Sequence, residues 1–558
     1  MSRLATSLLR ACSDAAPGPS RLPSRAPRLH RRTFINARIR RYATDPIPAD
    51  KPVPCPANAH PHPAFESLAT ELSNMQPCFG ARGDEVELLT SPEKFRTKLL
   101  EMIKRAKKRI LISSLYIGTE DHELIEAIRQ ALESQPQLRV VIMLDYHRST
   151  RLSPDTKSKL PPSTAHLLLP LLHSHHDRCE VWLFRSPKLR GLMERIVPER
   201  FDEGWGTWHC KWYGVDDEVI ISGANLAQSY FTNRQDRYIH FRSHPFLLSY
   251  LSSLTRLFTH YSYLLTPSPP LSANRAHLVP LPSPPALAGA FGSATLIWPQ
   301  ASIHPRRFAA HAKATITAFQ NSWRSANASR LRRVDVDTHF WPVIQAGVLG
   351  LHEEEAGMGL VWNAINQSQQ GEGVEVDLTS GYFGLYKAYK QAVVTSSAPV
   401  RVIAASPKAN GFYGSKGLSR LIPEGYTLLE SRFYADAANN GRTWDATRHT
   451  GVRLREWERE GWTYHAKGMW LSPATSNAQP FLTFIGSSNL STRSMTLDTE
   501  LSMLLMTSST SLRKALSAEV KALDEYAVDV GRETWATEER KVSILARVLI
   551  ALGVDGML

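Results

Sequence analysis

The sequence predicts an α/β protein made of two similar halves, each a mixed sheet flanked by helices. Three observations point there. Apolar, strand-like runs alternate with amphipathic, helix-like segments from about residue 91; the same order returns beyond a proline-rich stretch; and a chain of 558 residues is too long for one ordinary core. Residues 92–108 set Phe95, Leu99, Met102, Ile103 and Ala106 on one helical face. Residues 110–112 follow as a buried strand that ends in the run 113–118. An amphipathic helix (Leu124, Ile125, Ile128, Leu132) and a strand at 140–144 complete this unit. Seven prolines between 266 and 285 exclude a helix interior or a central strand and mark a linker. After it, a helix near 353–367 leads to a strand at 374–378, whose ending at 379–384 echoes 113–118. A helix around Leu385, Tyr389 and Val393 and a strand at 400–405 follow, so the chain reads as a duplication with a period of about 260 residues. The expected division is 1–42 as a targeting segment, 43–78 as a proline-rich leader, 79–265 and 296–558 as the two domains, and 266–295 as the linker.

Charge narrows the function classes. The net charge of +14 suggests nucleic acid until it is located: residues 1–41 hold ten arginines, no lysine and only Asp14 as an acid, which leaves about +5 for the rest. An Arg-, Ser- and Ala-rich, acid-poor opening with Leu4, Leu8 and Leu9 fits a mitochondrial transit peptide, with cleavage near Arg41 and Tyr42. Five cysteines without CxxC spacing argue against a disulfide framework and a cysteine zinc site. No run of about 18 apolar residues predicts a spanning helix, so a membrane substrate would be met from the surface. Residues 246–265 and 542–552 are apolar with scattered polar positions, suited to an interfacial helix or, more commonly, to one that covers a sheet.

The chemistry lies in one run that both halves share. The first has His209, Lys211, Asp216 and then Asn225 within SGANL; the second has His465, Lys467 and then Asn489 within GSSNL. Eleven residues beyond each Asn stands an acid, Asp236 or Glu500. Residues at i and i+2 of a strand share a face, so histidine and lysine can reach one phosphate together. The lysine neutralises phosphoryl oxygens while the imidazole attacks phosphorus or moves a proton. His311 and Lys313 form a third HxK without the downstream Asn and acid, and read as an exposed helical pair.

These motifs resemble the phospholipase D superfamily, with its H-x-K-x4-D and G-S-x-N elements. The resemblance implies two domains about a pseudo-two-fold axis that share one active site, and a ping-pong reaction through a phosphohistidine. By it, His209 is the candidate nucleophile and His465 the acid/base, an assignment the near symmetry of the halves leaves reversible. Lys211, Lys467, Asn225 and Asn489 would bind phosphoryl oxygens, and Asp236 and Glu500 would orient the imidazoles. The first half sets Asp216 and Asn225 one residue closer than the family pattern. The second has Ser472 where an Asp is expected, which puts that Asp's role in doubt rather than the chemistry.

The stretches SGANLAQSYFTNRQDRY (222–238), SPKANGFYGSKG (406–417) and YHAKGMWL (464–471) are similar to eukaryotic mitochondrial phosphatidylglycerophosphate synthases. That likeness implies transfer of a phosphatidyl group from CDP-diacylglycerol to sn-glycerol 3-phosphate, with release of CMP, on the way to cardiolipin. It implies peripheral association with the matrix side of the mitochondrial inner membrane, and no nucleic acid as partner. No cofactor and no metal is called for, since lysines and asparagines supply the charge stabilisation. Arg234 and Arg237 are candidates for the donor diphosphate. Lys408, Gly411, Gly414 and Lys416 could cradle glycerol phosphate, and Tyr116 and Tyr382 could line the cleft. A nuclease or tyrosyl-DNA phosphodiesterase-like enzyme would share the scaffold, but it calls for a basic groove that a charge of about +5 does not favour. A catalytically dead lipid-binding scaffold would not need both histidines and both lysines.

Overall fold

The computed structural model describes residues 60, 62–153, 158–197, 199–267, 278–284, 294–328 and 336–551. The expected transit segment, the first part of the expected leader and much of the expected linker lie outside them. Each half forms one mixed sheet. In the first, Arg109–Ser113, Arg139–Asp145 and Cys179–Phe184 are parallel neighbours. On the other side of Arg109–Ser113 follow, all antiparallel, Trp212–Val215, Glu218–Ser222, Tyr238–Phe241 and Val86–Leu88. The second half repeats the order. Val374–Ser380, Val400–Ala405 and Val452–Trp457 are parallel, and beyond Val374–Ser380 lie Lys467–Pro473, Leu482–Gly486, Thr499–Thr507 and Thr338–Ala346, all antiparallel. The strands the sequence pattern predicts are all present, because their Val/Ile/Leu runs are buried on both faces.

Helices Pro92–Lys104 and His122–Ser134 turn Phe95, Leu99, Ile103, Leu124 and Ile128 into the first core. Glu353–Ser368 covers the second sheet with Met358, Val361, Trp362 and Ile365. The apolar stretch at 246–265 is a covering helix, Pro245–Thr259, followed by the strand Ser262–Thr266. His311 and Lys313 sit exposed on the helix Ala309–Ala328. Among the described residues no helix is long and apolar enough to cross a membrane.

Two expectations need correction. Residues 63–75 are no irregular leader but the helix Pro63–Met75, which buries Phe65, Leu68, Ala69 and Leu72. Pro63 is harmless because the first helical position needs no N–H bond, and His62 caps the end. This helix packs in the second core, and Phe79–Ala81 pairs with Thr338–Ala346, so the chain enters through the second half before it builds the first. The supposed linker also contributes structure: Leu278–Pro280 and Thr295–Ile297 extend the first sheet beyond Ser262–Thr266. Proline is tolerated there because an edge strand leaves N–H positions unpaired.

Candidate active site

The histidine of each half is held by the acid of the other. His209 lies on the extended segment that runs into Trp212–Val215, and His465 just precedes Lys467–Pro473. The backbone N–H of His209 donates to the Thr499 carbonyl (2.8 Å), and that of His465 donates to the Gln235 carbonyl (2.8 Å). Each histidine is thereby set opposite the residue beside its acid. Nδ1 of His209 lies 2.9 and 2.8 Å from the two oxygens of Glu500, and Nδ1 of His465 lies 2.6 Å from Asp236 Oδ2. A carboxylate only accepts, so each Nδ1 donates a proton to it and each Nε2 is the nitrogen left for chemistry. Glu500 also accepts from the hydroxyls of Ser487 and Ser494. Asp236 accepts from the Arg237 N–H (2.8 Å) and from Lys467 Nζ (3.3 Å).

The two lysines have one hydrogen bond in common. Lys211 Nζ donates to the carbonyl of His209 (2.7 Å), and Lys467 repeats that bond with the carbonyl of His465. Both are fully buried, and burial pushes Lys211 down to about 7 and Lys467 down to about 8, against the opposing pull of Glu500 and Asp236. Burial and the Lys467 ammonium hold His465 well below the ordinary imidazole value, outweighing Asp236. Burial alone would raise the Asp236 carboxyl, but Lys467 and His465 together keep it below the usual range. Phosphoryl oxygens between the lysines would restore both charges, an arrangement suited to an anion. Its tightness depends on Gly223: a Cβ there would stand 2.5 Å from Lys467 Cδ and 2.6 Å from Asp236 Oδ1.

Aromatic and cationic side chains wall the site. Tyr230 and Tyr382 meet the His465 ring edge-on, with centroids at 5.2 and 5.3 Å. The Tyr230 hydroxyl accepts from Asn225 Nδ2 (3.1 Å) and lies 3.5 Å from His465 Nε2, joining the first-half asparagine to the second-half histidine. Asn489 joins through Ser494, whose Oγ accepts from the Asn489 N–H (3.1 Å) and donates to Glu500 (2.8 Å). Among the described residues the buried Asn489 Oδ1 has no partner. Arg234 stacks on Tyr230 at 4.6 Å and donates to Thr463 Oγ1. Gly411 packs against Tyr382 and Arg234, where a Cβ would come within 2.9 Å of the tyrosine hydroxyl. Tyr116 lies under Arg148 at 4.3 Å. Sequence reasoning missed Arg148 and Tyr230. Arg148 follows the C-terminal end of a parallel strand, where open sheets gather ligands, and Tyr230 lies inside the run 222–238.

Four expected site residues serve elsewhere. Asp216, at φ 51° in a hairpin turn, accepts the backbone N–H groups of Lys107, Lys108 and Arg109 (2.7–3.0 Å) and so fastens the turn to the neighbouring strand. Arg237 is buried and fully engaged. Nε and Nη2 donate to the two oxygens of Glu519 (3.0 and 2.9 Å), Nη1 donates to the Phe484 carbonyl (2.8 Å), and the guanidinium lies 3.7 Å from the Trp470 ring. No donor is left for a substrate. Lys408 is exposed between Glu458 and Glu539, each at 3.6 Å, and Lys416 stands on the outer, exposed part of its loop. Among the described residues, His209, Asp498 and Glu500 bring metal-ligand atoms within 4.8 Å of one another. Asp498, however, already holds Thr207 and Arg493, and Glu500 already holds His209 and two serines. The group is a hydrogen-bond network rather than an open metal site.

Comparison with known proteins adds to this geometry. The chain is 34% identical over 491 residues to the CDP-diacylglycerol–glycerol-3-phosphate 3-phosphatidyltransferase of Schizosaccharomyces pombe, spanning 83% of this chain and 93% of that one. It is 32% identical over 524 residues to the mitochondrial protein of the same description from Gallus gallus, spanning 91% and 89%. The Saccharomyces cerevisiae counterpart is 32% identical, spanning 89% and 93%. Among solved structures, phosphatidylserine synthase of Haemophilus influenzae superposes with a TM-score of 0.61 at 17% identity, covering 88% of this chain and 98% of that one, a likeness of fold. No protein-family model matches the chain.

Proposed function

The chain belongs to the family of CDP-diacylglycerol–glycerol-3-phosphate 3-phosphatidyltransferases and forms phosphatidylglycerophosphate from those two substrates, and we propose that it does so by two displacements on its paired histidines. The observation that carries this reading is the crossed pairing of His209 with Glu500 and His465 with Asp236. Nε2 of His209 attacks the phosphatidyl phosphorus. The bond to the CMP oxygen breaks, its electron pair leaves with CMP, and the proton for that oxygen comes from His465 Nε2. His465 then takes the hydroxyl proton of glycerol 3-phosphate, the freed oxygen attacks phosphorus, and the P–N bond breaks with its electrons returning to His209.

Lys211 and Lys467 neutralise the non-bridging oxygens in both steps, and Asn225 and Asn489 complete the cradle. Arg234 and Arg148 supply guanidinium groups for the second donor phosphate, and Tyr116, Tyr382 and Gly411 line its path. Anion entry favours protonation of His465, which burial and Lys467 otherwise suppress. A mitochondrial location, peripheral on the matrix side of the inner membrane, is proposed from relatives so named and from the arginine-rich, acid-poor residues 1–41. The two-displacement route is tested by isotope exchange. With no glycerol 3-phosphate present, labelled CMP should enter CDP-diacylglycerol at a rate comparable to turnover. Exchange only when the acceptor is present would rule out a covalent intermediate.

A further inference from the structure

The segment between Cys179–Phe184 and His209 turns apolar side chains outward. In the short helix Leu192–Ile196, Leu192, Met193 and Ile196 are 70%, 51% and 61% exposed, and Phe201 is 41% exposed. One helical turn with that much bare apolar surface does not hold itself together, and this one is pinned from beneath. Leu189 is buried, and Glu194 faces inward, where Arg185 and Arg306 each bind its carboxylate at 2.8 Å. Farther on, Asp202 pairs with His147 (3.2 Å), and Glu203 pairs with Arg151 and Arg148. These carboxylates are spent on the protein, whereas Lys188, Arg190 and Arg195 stand exposed beside the apolar side chains. The segment then enters the cleft: Thr207 binds Asp498, His209 follows, and Arg148, the partner of Glu203, stacks on Tyr116.

An apolar centre with a cationic rim complements an anionic lipid surface, where alkyl groups enter the acyl boundary and arginines meet headgroup phosphates. We propose that Leu192, Met193, Ile196 and Phe201 insert into an anionic bilayer and hold the cleft mouth against it, so that the lipid donor reaches His209 without leaving the membrane. This rests on the reading that the donor is CDP-diacylglycerol, whose acyl chains remain in the bilayer while its diphosphate reaches the lysines.

The test compares the full chain with its L192S/M193S/I196S variant on phosphatidylcholine vesicles with and without phosphatidylglycerol. The wild type should sediment with the anionic vesicles, and the variant should partition about 100-fold more weakly. Turnover of vesicle-borne donor should fall in parallel, while turnover of a short-chain donor dispersed in detergent stays within about twofold. Hydrogen exchange on the unaltered protein, which needs no substitution, should slow across residues 190–205 when anionic vesicles are added. Equal vesicle binding by both proteins, or exchange in this segment indifferent to vesicles, overturns the proposal. So does a wild-type chain that ignores vesicles and instead dimerises through this face. If the wild type turns over neither donor, the enzymatic reading fails, while vesicle binding and exchange still decide the docking surface.

Discussion

Replacing Glu500 by Gln separates orientation from chemistry in a way the geometry makes quantitative. Glu500 is buried and accepts from His209 Nδ1 (2.8 and 2.9 Å) and from Ser494 Oγ (2.8 Å), with Ser487 as a further donor. A glutamine must turn an NH2 toward one of these groups. The serine hydroxyls can reverse their roles, but His209 can accept at Nδ1 only by moving its proton to Nε2, which removes the lone pair aimed at phosphorus. A carboxylate-to-amide change that inverts the tautomer of a catalytic imidazole costs about 10⁴ in turnover, and loss of the ionic interaction alone costs about 10². E500Q should therefore lose between about 10² and 10⁴, or about 3–5 kcal/mol of transition-state stabilisation. The assay is rapid-quench release of CMP in the first turnover without acceptor, checked against the melting curve. Because Glu500 and His209 come from different halves, the result also tests whether the halves form one site. Turnover within tenfold of wild type, with the fold intact, would refute the orientation argument.

Lys211→Met should abolish turnover yet raise the melting temperature; Lys467→Met should abolish turnover without that gain, because it strands the buried Asp236. A buried lysine whose value falls from 10.5 to about 7 or 8 penalises folding below its unfolded value, with the full penalty reached below its folded value, so the gain at Lys211 should be largest near pH 6 and vanish above about pH 10.5. Binding of CMP near pH 8 should take up protons as these lysines recharge, and near pH 5.5 that contribution should disappear; calorimetry in buffers of different ionisation enthalpy reads both. Arg237→Met should cost about 3–5 kcal/mol of stability by stranding Glu519 while leaving the affinity for CMP within about twofold. Arg234→Met should do the reverse, raising the KM for the donor about tenfold or more with little change in melting.

Much of this was legible in the sequence because it is local. Val, Ile and Leu runs such as 110–112 and 400–405 bury on both faces and declare strands, and two HxK motifs with matching Asn and acid offsets declare the site. What could not be read is what the fold brings from afar. Asp236 serves His465, 229 residues away, and no spacing rule distinguishes that from service to its own half. Arg234 and Arg237 share one short run, yet only Arg237 meets Glu519, 282 residues on, and is taken out of the site. The helix Pro63–Met75 was hidden by the prolines that precede and begin it, although Phe65, Leu68, Ala69 and Leu72 carry helical spacing. Asp216 satisfies the family motif but works as a backbone cap, a role that depends on which strand end lies beside its turn.

The most direct measurement is the site of covalent labelling. With CDP-diacylglycerol labelled in its phosphatidyl phosphate and no glycerol 3-phosphate, the His465→Ala variant, slow in breaking down the intermediate, should accumulate acid-labile label on the peptide that contains His209, and the Glu500→Gln variant should acquire it far more slowly than wild type. Label on any other residue, or none on a chain that still forms phosphatidylglycerophosphate, would contradict the account.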